Sequence, residues 1–235
     1  MPFRRIPSSI SGYTMAMDEA YAKYDTSTIK AFSDETFNLL DALRSSYASE
    51  VLEMNAALQQ QINATLIEDT ALKTLRIYVS DFIQVFNLGV HRGVYAASQR
   101  TYFGLDGNQE SLPPLGKESE VAYWANKIIA GDPLRVAAGG AAMTNPTMLE
   151  VQTKYTDYYA KHNTQSQKKD DYDNELQEVS AKTEDVRKLV IDIWDEVEFF
   201  FRHEPDEASK RRKCREWGVV YVSRNTATIS GKVTN

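Results

Sequence analysis

The sequence predicts an all-α protein built on two long helical tracts, and three observations carry that expectation. Neither glycine nor proline occurs between Tyr13 and Leu88, nor between Thr147 and Glu204, whereas the segment from Gly89 to Pro146 holds most of the glycines. Helix interiors exclude both residues, glycine for its backbone entropy and proline for its missing donor. Apolar residues then recur at steps of three or four along both tracts, the period of a helix face. The only run with strand composition is Val219, Val220, Tyr221 and Val222, close to the C-terminus.

Taken in order, residues 1–32 read as an N-terminal arm and residues 33–95 as the first helical tract. Ser33 suits its N-cap, and Asp34 and Glu35 follow where the helix dipole favours negative charge. Leu40, Leu43, Tyr47, Val51, Met54, Leu58, Ile62 and Leu66 form one stripe. From Leu72 onward the stripe widens through Leu75, Ile77, Val79, Phe82, Ile83, Val85, Phe86 and Val90, which implies burial on several sides. Residues 96–146 form a loop-rich insert with one short amphipathic helix, whose apolar face is Val121, Trp124, Ile128 and Ile129.

The second tract, residues 147–203, is expected to open with Asn145 as cap and Pro146 in the first turn. Its stripe runs from Met148 through Val151, Tyr155, Tyr158, His162 and Gln165 to Val190, Ile193, Val197 and Phe200, with a polar middle, HNTQSQKKDD. Residues 204–235 hold a short helix, the strand and a tail, the whole reading as one domain. Two architectures follow. Turns near Glu68 to Thr70 and near Asn163 to Asp171 would give an up-down four-helix bundle capped by the insert. Without those turns the tracts make a long antiparallel helical hairpin of two helices, each roughly 80 to 90 Å at the usual rise per residue. The broad apolar surfaces around Phe82 to Phe86 and Ile193 to Phe201 favour the bundle, or a hairpin that completes one by dimerising.

Composition narrows the function. A chain of 235 residues with 42% hydrophobic and 26% charged residues is a globular one, and a net charge of -6 argues against nucleic acid or anionic lipid as a general partner. No apolar run is long enough to span a bilayer and no secretory signal is visible, so no membrane association and a cytoplasmic location are expected. One cysteine and three histidines leave no Cys/His metal cluster to build, and no Glu-x-x-His pair precedes His91, His162 or His203. No metal and no cofactor are expected, and His162 needs only a neutral hydrogen-bonding role.

Other motifs read as structure. LDGNQES lacks the spacing of a calcium loop and is a turn, and AAGGAA lacks the lysine and preceding strand of a phosphate loop. Cys214 lies among Lys210, Arg211, Arg212, Lys213 and Arg215 without a base beside it, so a structural thiol is expected. The basic residues face solvent or meet the acidic residues around Asp195 and Glu198. Tyr155, Tyr158, Tyr159 and Tyr172 fit core and interface.

The segments MPFRRIP, DFIQVFN, YFGLDG, KIIAGDP, IWDEVE and WGVVYV together resemble a group of uncharacterised helical proteins from Bacteroidota, over most of the chain. The resemblance implies a helical fold and supplies no site residue.

The expected role is therefore a non-enzymatic structural or scaffolding protein that self-associates as a homo-oligomer. A protein-binding adaptor is the alternative, with a protein partner on the helical surface or the insert. An enzyme ranks last and would need a pocket near Trp124, Arg135 and Tyr102. The strand needs a partner, because its backbone donors and acceptors must be satisfied. Residues Ala227 to Ser230 and the segment Phe3 to Ile6 are the candidates within the chain, and the same region of a neighbouring subunit is the candidate between chains. The last is favoured, which makes Val219, Val220, Tyr221, Val222, Phe3 and Ile6 the expected self-association residues.

Overall fold

The computed structural model describes residues 2–108 and 110–223, and helix accounts for 74% of it. In chain order the elements are strand β1 (Pro2–Arg4), helices α1 (Ile10–Thr26) and α2 (Asp34–His91), a 3-10 helix (Ala97–Phe103), α3 (Glu118–Ala137), α4 (Met148–Phe200), α5 (Glu207–Arg215) and strand β2 (Tyr221–Ser223). The chain divides into two compact units, Met1–Ala56 with Asp173–Asn235, and Ala57–Tyr172. Helices α2 and α4 contribute a segment to each.

Neither of the turns that the bundle alternative required forms, and the two tracts are continuous helices as in the other alternative. Helix α2 continues through Glu68 to Thr70 and α4 through Asn163 to Asp171. The polar middle of α4 is rich in Gln, Lys and Asp and free of breakers, and polarity alone does not end a helix. Residues 10–26, expected within an arm, form α1, with Ser9 capping the Gly12 amide. The cap of α2 is Ser33 as expected, its hydroxyl accepting from the Thr36 amide at 3.2 Å. The cap of α4 is Thr147 rather than Asn145. Its hydroxyl accepts from the Glu150 amide while Glu150 accepts from the Thr147 amide at 2.7 Å, a reciprocal capping box that satisfies two orphan donors.

In the first unit, α2 and α4 run antiparallel, with Tyr47 meeting Thr183 at 3.0 Å and Lys182 reaching Ser46 at 2.7 Å. Leu40, Tyr47, Val186, Val190, Ile193, Trp194 and Val197 are buried. Helix α1 joins this core through Tyr13, Met17, Ala20 and Tyr24. The Tyr24 ring stacks on Phe37 at 4.1 Å and its phenol donates to Asp34, a bond that pushes its pKa up to about 12. Glu196 of α4 accepts from the Ser33 amide at 2.6 Å and from the Thr36 hydroxyl, placing negative charge at the N-terminus of α2.

Helix α5 is capped by Asp206, which accepts from the Ala208 and Ser209 amides at 2.8 Å. Gly218 then adopts φ +85°, a left-handed conformation that side chains resist, and turns the chain so that Val219 enters the core. The strand that follows pairs inside the chain. Pro2 lies opposite Ser223, Phe3 opposite Val222 and Arg4 opposite Tyr221, antiparallel, and the Arg5 amide donates to the Val220 carbonyl at 2.9 Å. The partner favoured from sequence, a neighbouring subunit, is thus replaced by the chain's own N-terminus. Anchoring explains why so short a ribbon persists: the Arg4 guanidinium meets Asp195 and Glu198 on α4, and Tyr221 donates to Glu198 at 2.5 Å. The candidate return strand Ala227 to Ser230 lies outside the described residues.

In the second unit, Leu75, Val79, Phe82, Ile83 and Phe86 of α2 pack with Phe103, Leu105, Val121, Ala125, Ile128 and Val151. Gly131 is required where α3 crosses the 3-10 helix, since a Cβ there would sit 2.2 Å from the Tyr102 carbonyl oxygen. Within LDGNQES, Asp106 to Asn108 form a turn, as expected: Asp106 accepts from the Asn108 amide at 3.1 Å, and buried Arg100 donates to Asn87 and to the Gly107 carbonyl.

Candidate carboxylate–histidine site

The inward positions of α2 in the second unit include Gln61, Glu68 and Leu75, spaced by seven residues, which is two turns of a helix in a paired seam. Glu68 therefore points toward α4 although it is charged. On α4 the spacing Tyr155, Tyr158, His162, Gln165 brings His162 to the same level: Gln165 meets Thr65, and three residues on in opposite directions His162 meets Glu68. Glu118, the first residue of α3, completes the group.

The contacts converge on one atom. His162 Nδ1 lies 2.7 Å from Glu68 Oε1 and 3.4 Å from Glu118 Oε1. The Glu68 side chain is 13% exposed, His162 37% and Glu118 47%, so the cluster is roofed by helices on one side and open to water on the other. Tyr158, buried beneath, donates its phenol to Glu118 Oε1 at 2.5 Å. Burial and then the bonded Glu118 carboxylate raise its pKa above the ordinary phenol value, so it acts as a neutral donor. Two carboxylate oxygens and one imidazole nitrogen form a ligand set suited to a divalent metal, a role assigned to none of these residues from sequence.

A second cluster lies in the first unit. Glu50, Glu175 and Glu178 bring carboxylate oxygens within 4.8 Å of one another, with Lys182 bonded to Glu50. The bond from Lys182 holds Glu50 below the usual carboxylate range, while the hydrogen bond shared with Glu50 pushes Glu178 above it. Lysine supplies the positive charge here.

The residues singled out from sequence are distributed as follows. Val219 is buried, Tyr221 and Val222 are half-buried in the ribbon, Ile6 is half-buried, and Phe3 and Val220 are exposed. Arg135, proposed for a pocket with Trp124 and Tyr102, is wholly buried, paired with Asp132 at 2.7 Å and set against the rings of Phe86 and Tyr95. A ligand does not reach it. Cys214 is buried too, and burial first raises its thiol pKa, which fits a structural thiol. Lys213 pairs with Glu204 and Arg211 with Glu207, while Asp195 and Glu198 take Arg4 in place of the basic cluster.

No helix among the described residues is long and apolar enough to cross a membrane. Compared with models of protein families, with curated proteins and with solved structures, the chain has no match.

Proposed function

We propose that this is a non-enzymatic structural protein that self-associates, with a second copy of the chain as its partner. The observation that carries the reading is the outer face of α2. Ile62, Leu66, Ile77 and Leu88 are 43%, 60%, 57% and 45% exposed. Their spacing of 4, 11 and 11 residues keeps them within about 80° of one another around the helix, on the side opposite Ala64, Leu75, Phe82 and Phe86. Apolar side chains repeated along the solvent face of a charged protein gain by burial against a like surface. Lys73 and Gln84 interrupt the stripe, so it suits a helix-to-helix contact better than a deep groove. Phe3 and Val220 on the terminal ribbon offer a second, smaller contact.

Size-exclusion chromatography with light scattering tests the reading. The wild-type protein is expected to elute as an oligomer, and the double variant Leu66→Lys/Ile77→Lys to dissociate with an unchanged helical spectrum. A loss of assembly in Phe3→Lys/Val220→Lys instead would transfer the contact to the ribbon. A wild-type monomer at tens of micromolar would end the self-association reading in favour of an adaptor.

A further inference from the structure

We propose that Glu68, Glu118 and His162 bind a divalent transition-metal ion, with Zn²⁺ the best match, and that the ion fastens the start of α3 to the α2–α4 pair. Three separate elements, α2, α3 and α4, each bring one ligand atom within 4.8 Å of the other two, which is how metal centres are assembled. Zn²⁺ takes carboxylate oxygen and imidazole nitrogen at about 2.0 to 2.2 Å, so ligand atoms around a tetrahedral ion stand roughly 3.3 Å apart. The Nδ1 to Glu118 distance of 3.4 Å already has that value, and the Nδ1 to Glu68 distance of 2.7 Å reaches it by a small side-chain rotation.

Hydrogen bonding inside the cluster accounts for only part of it. His162 Nδ1 lies within ion-pair distance of both carboxylates, so Glu68 and Glu118 share one imidazole as their partner. A dication balances both. Tyr158 then serves as an outer-shell donor that orients Glu118, the usual arrangement for a ligating carboxylate. The exposed side of the cluster leaves the fourth position to water.

The proposal is independent of self-association and is tested on the full chain after chelator treatment, by calorimetric titration with ZnCl₂ and by thermal melting. One saturable site and a rise in Tm are expected. His162→Gln and Glu118→Gln, at partly exposed positions, should each weaken binding at least tenfold, and Tyr158→Phe by a smaller factor, while Glu178→Gln binds as wild type. Circular dichroism confirms that each variant is folded. The assignment is overturned if the wild-type protein shows no saturable one-to-one binding, if His162→Gln and Glu118→Gln both keep wild-type affinity, or if Glu178→Gln loses the metal. A lowered Tm in metal-free His162→Gln with undiminished zinc affinity would likewise overturn it, leaving a hydrogen bond that sets helix register as the whole role of the pair.

Discussion

Two stretches of the same helix, α2, solve burial differently. Between residues 57 and 71 the buried residues are Ala57, Ala64 and Ala71, seven apart, whereas between residues 75 and 86 they are Leu75, Val79, Phe82, Ile83 and Phe86. The first stretch shows a narrow line of small side chains; the second is covered by α3, the 3-10 helix and α4, and fills the space with large ones. The width of an apolar pattern thus reports how many neighbours a helix has, and side-chain size reports how closely they approach.

The largest effect that tests this difference is Phe86→Ala, expected to destabilise by about 3 to 5 kcal/mol, since the ring is wholly buried against Phe103 and Tyr95. Denaturant unfolding followed by circular dichroism measures it, and a change near zero would mean that the aromatic stretch is free to repack. In the narrow stretch the sensitive direction is enlargement. Ala64→Leu should cost about 1 to 3 kcal/mol by overpacking, and tolerance of the larger side chain would show that the alanine line has spare room. On the outer face, Leu66→Gln should change monomer stability by less than about 0.5 kcal/mol, whatever it does to assembly.

The two carboxylate clusters extend the comparison to charge. Glu178 has a raised folded-state pKa, so its ionised form is disfavoured in the folded protein. Glu178→Gln should therefore raise Tm at pH 7, and the advantage should disappear as pH falls through the raised pKa toward the unfolded value of 4.5. An advantage that is constant with pH would sever it from proton binding. The smallest expected signal is chemical. Cys214, buried and raised in pKa, should resist alkylation in the native state and react once the chain is unfolded; rapid native labelling would contradict its placement.

Much of the secondary structure was legible, and the misreadings have identifiable causes. On α4 the expected stripe agrees with burial at Val151, Tyr158, Val190, Ile193 and Val197 and departs from it at Phe200, which is 47% exposed. On α2 it drifts. Met54, Leu58, Ile62 and Leu66 are four apart, and each such step advances 40° beyond a full turn, so the series walks about 120° round the helix and leaves the core. The true inner face continues through Ala57, Gln61, Ala64 and Glu68, residues that hydropathy passes over. For the same reason the carboxylate–histidine group was missed. Glu68 and His162 are each polar residues in a seam, and only a register between two helices 94 residues apart in sequence shows that they meet.

The sequence by itself determined the two long helical tracts, through the absence of breakers and the cap at Ser33, because these act over a few neighbouring residues. It determined that residues 75–86 are buried on several sides and that a strand near the C-terminus needs a partner. The tertiary structure alone decided that β2 pairs with Pro2–Arg4 and that Glu118 joins Glu68 and His162. Those outcomes depend on distant groups competing for the same partners, on Arg4 finding Asp195 and on α3 beginning beside His162. No local pattern encodes such a competition, since the winning contact is fixed only when both segments are already folded.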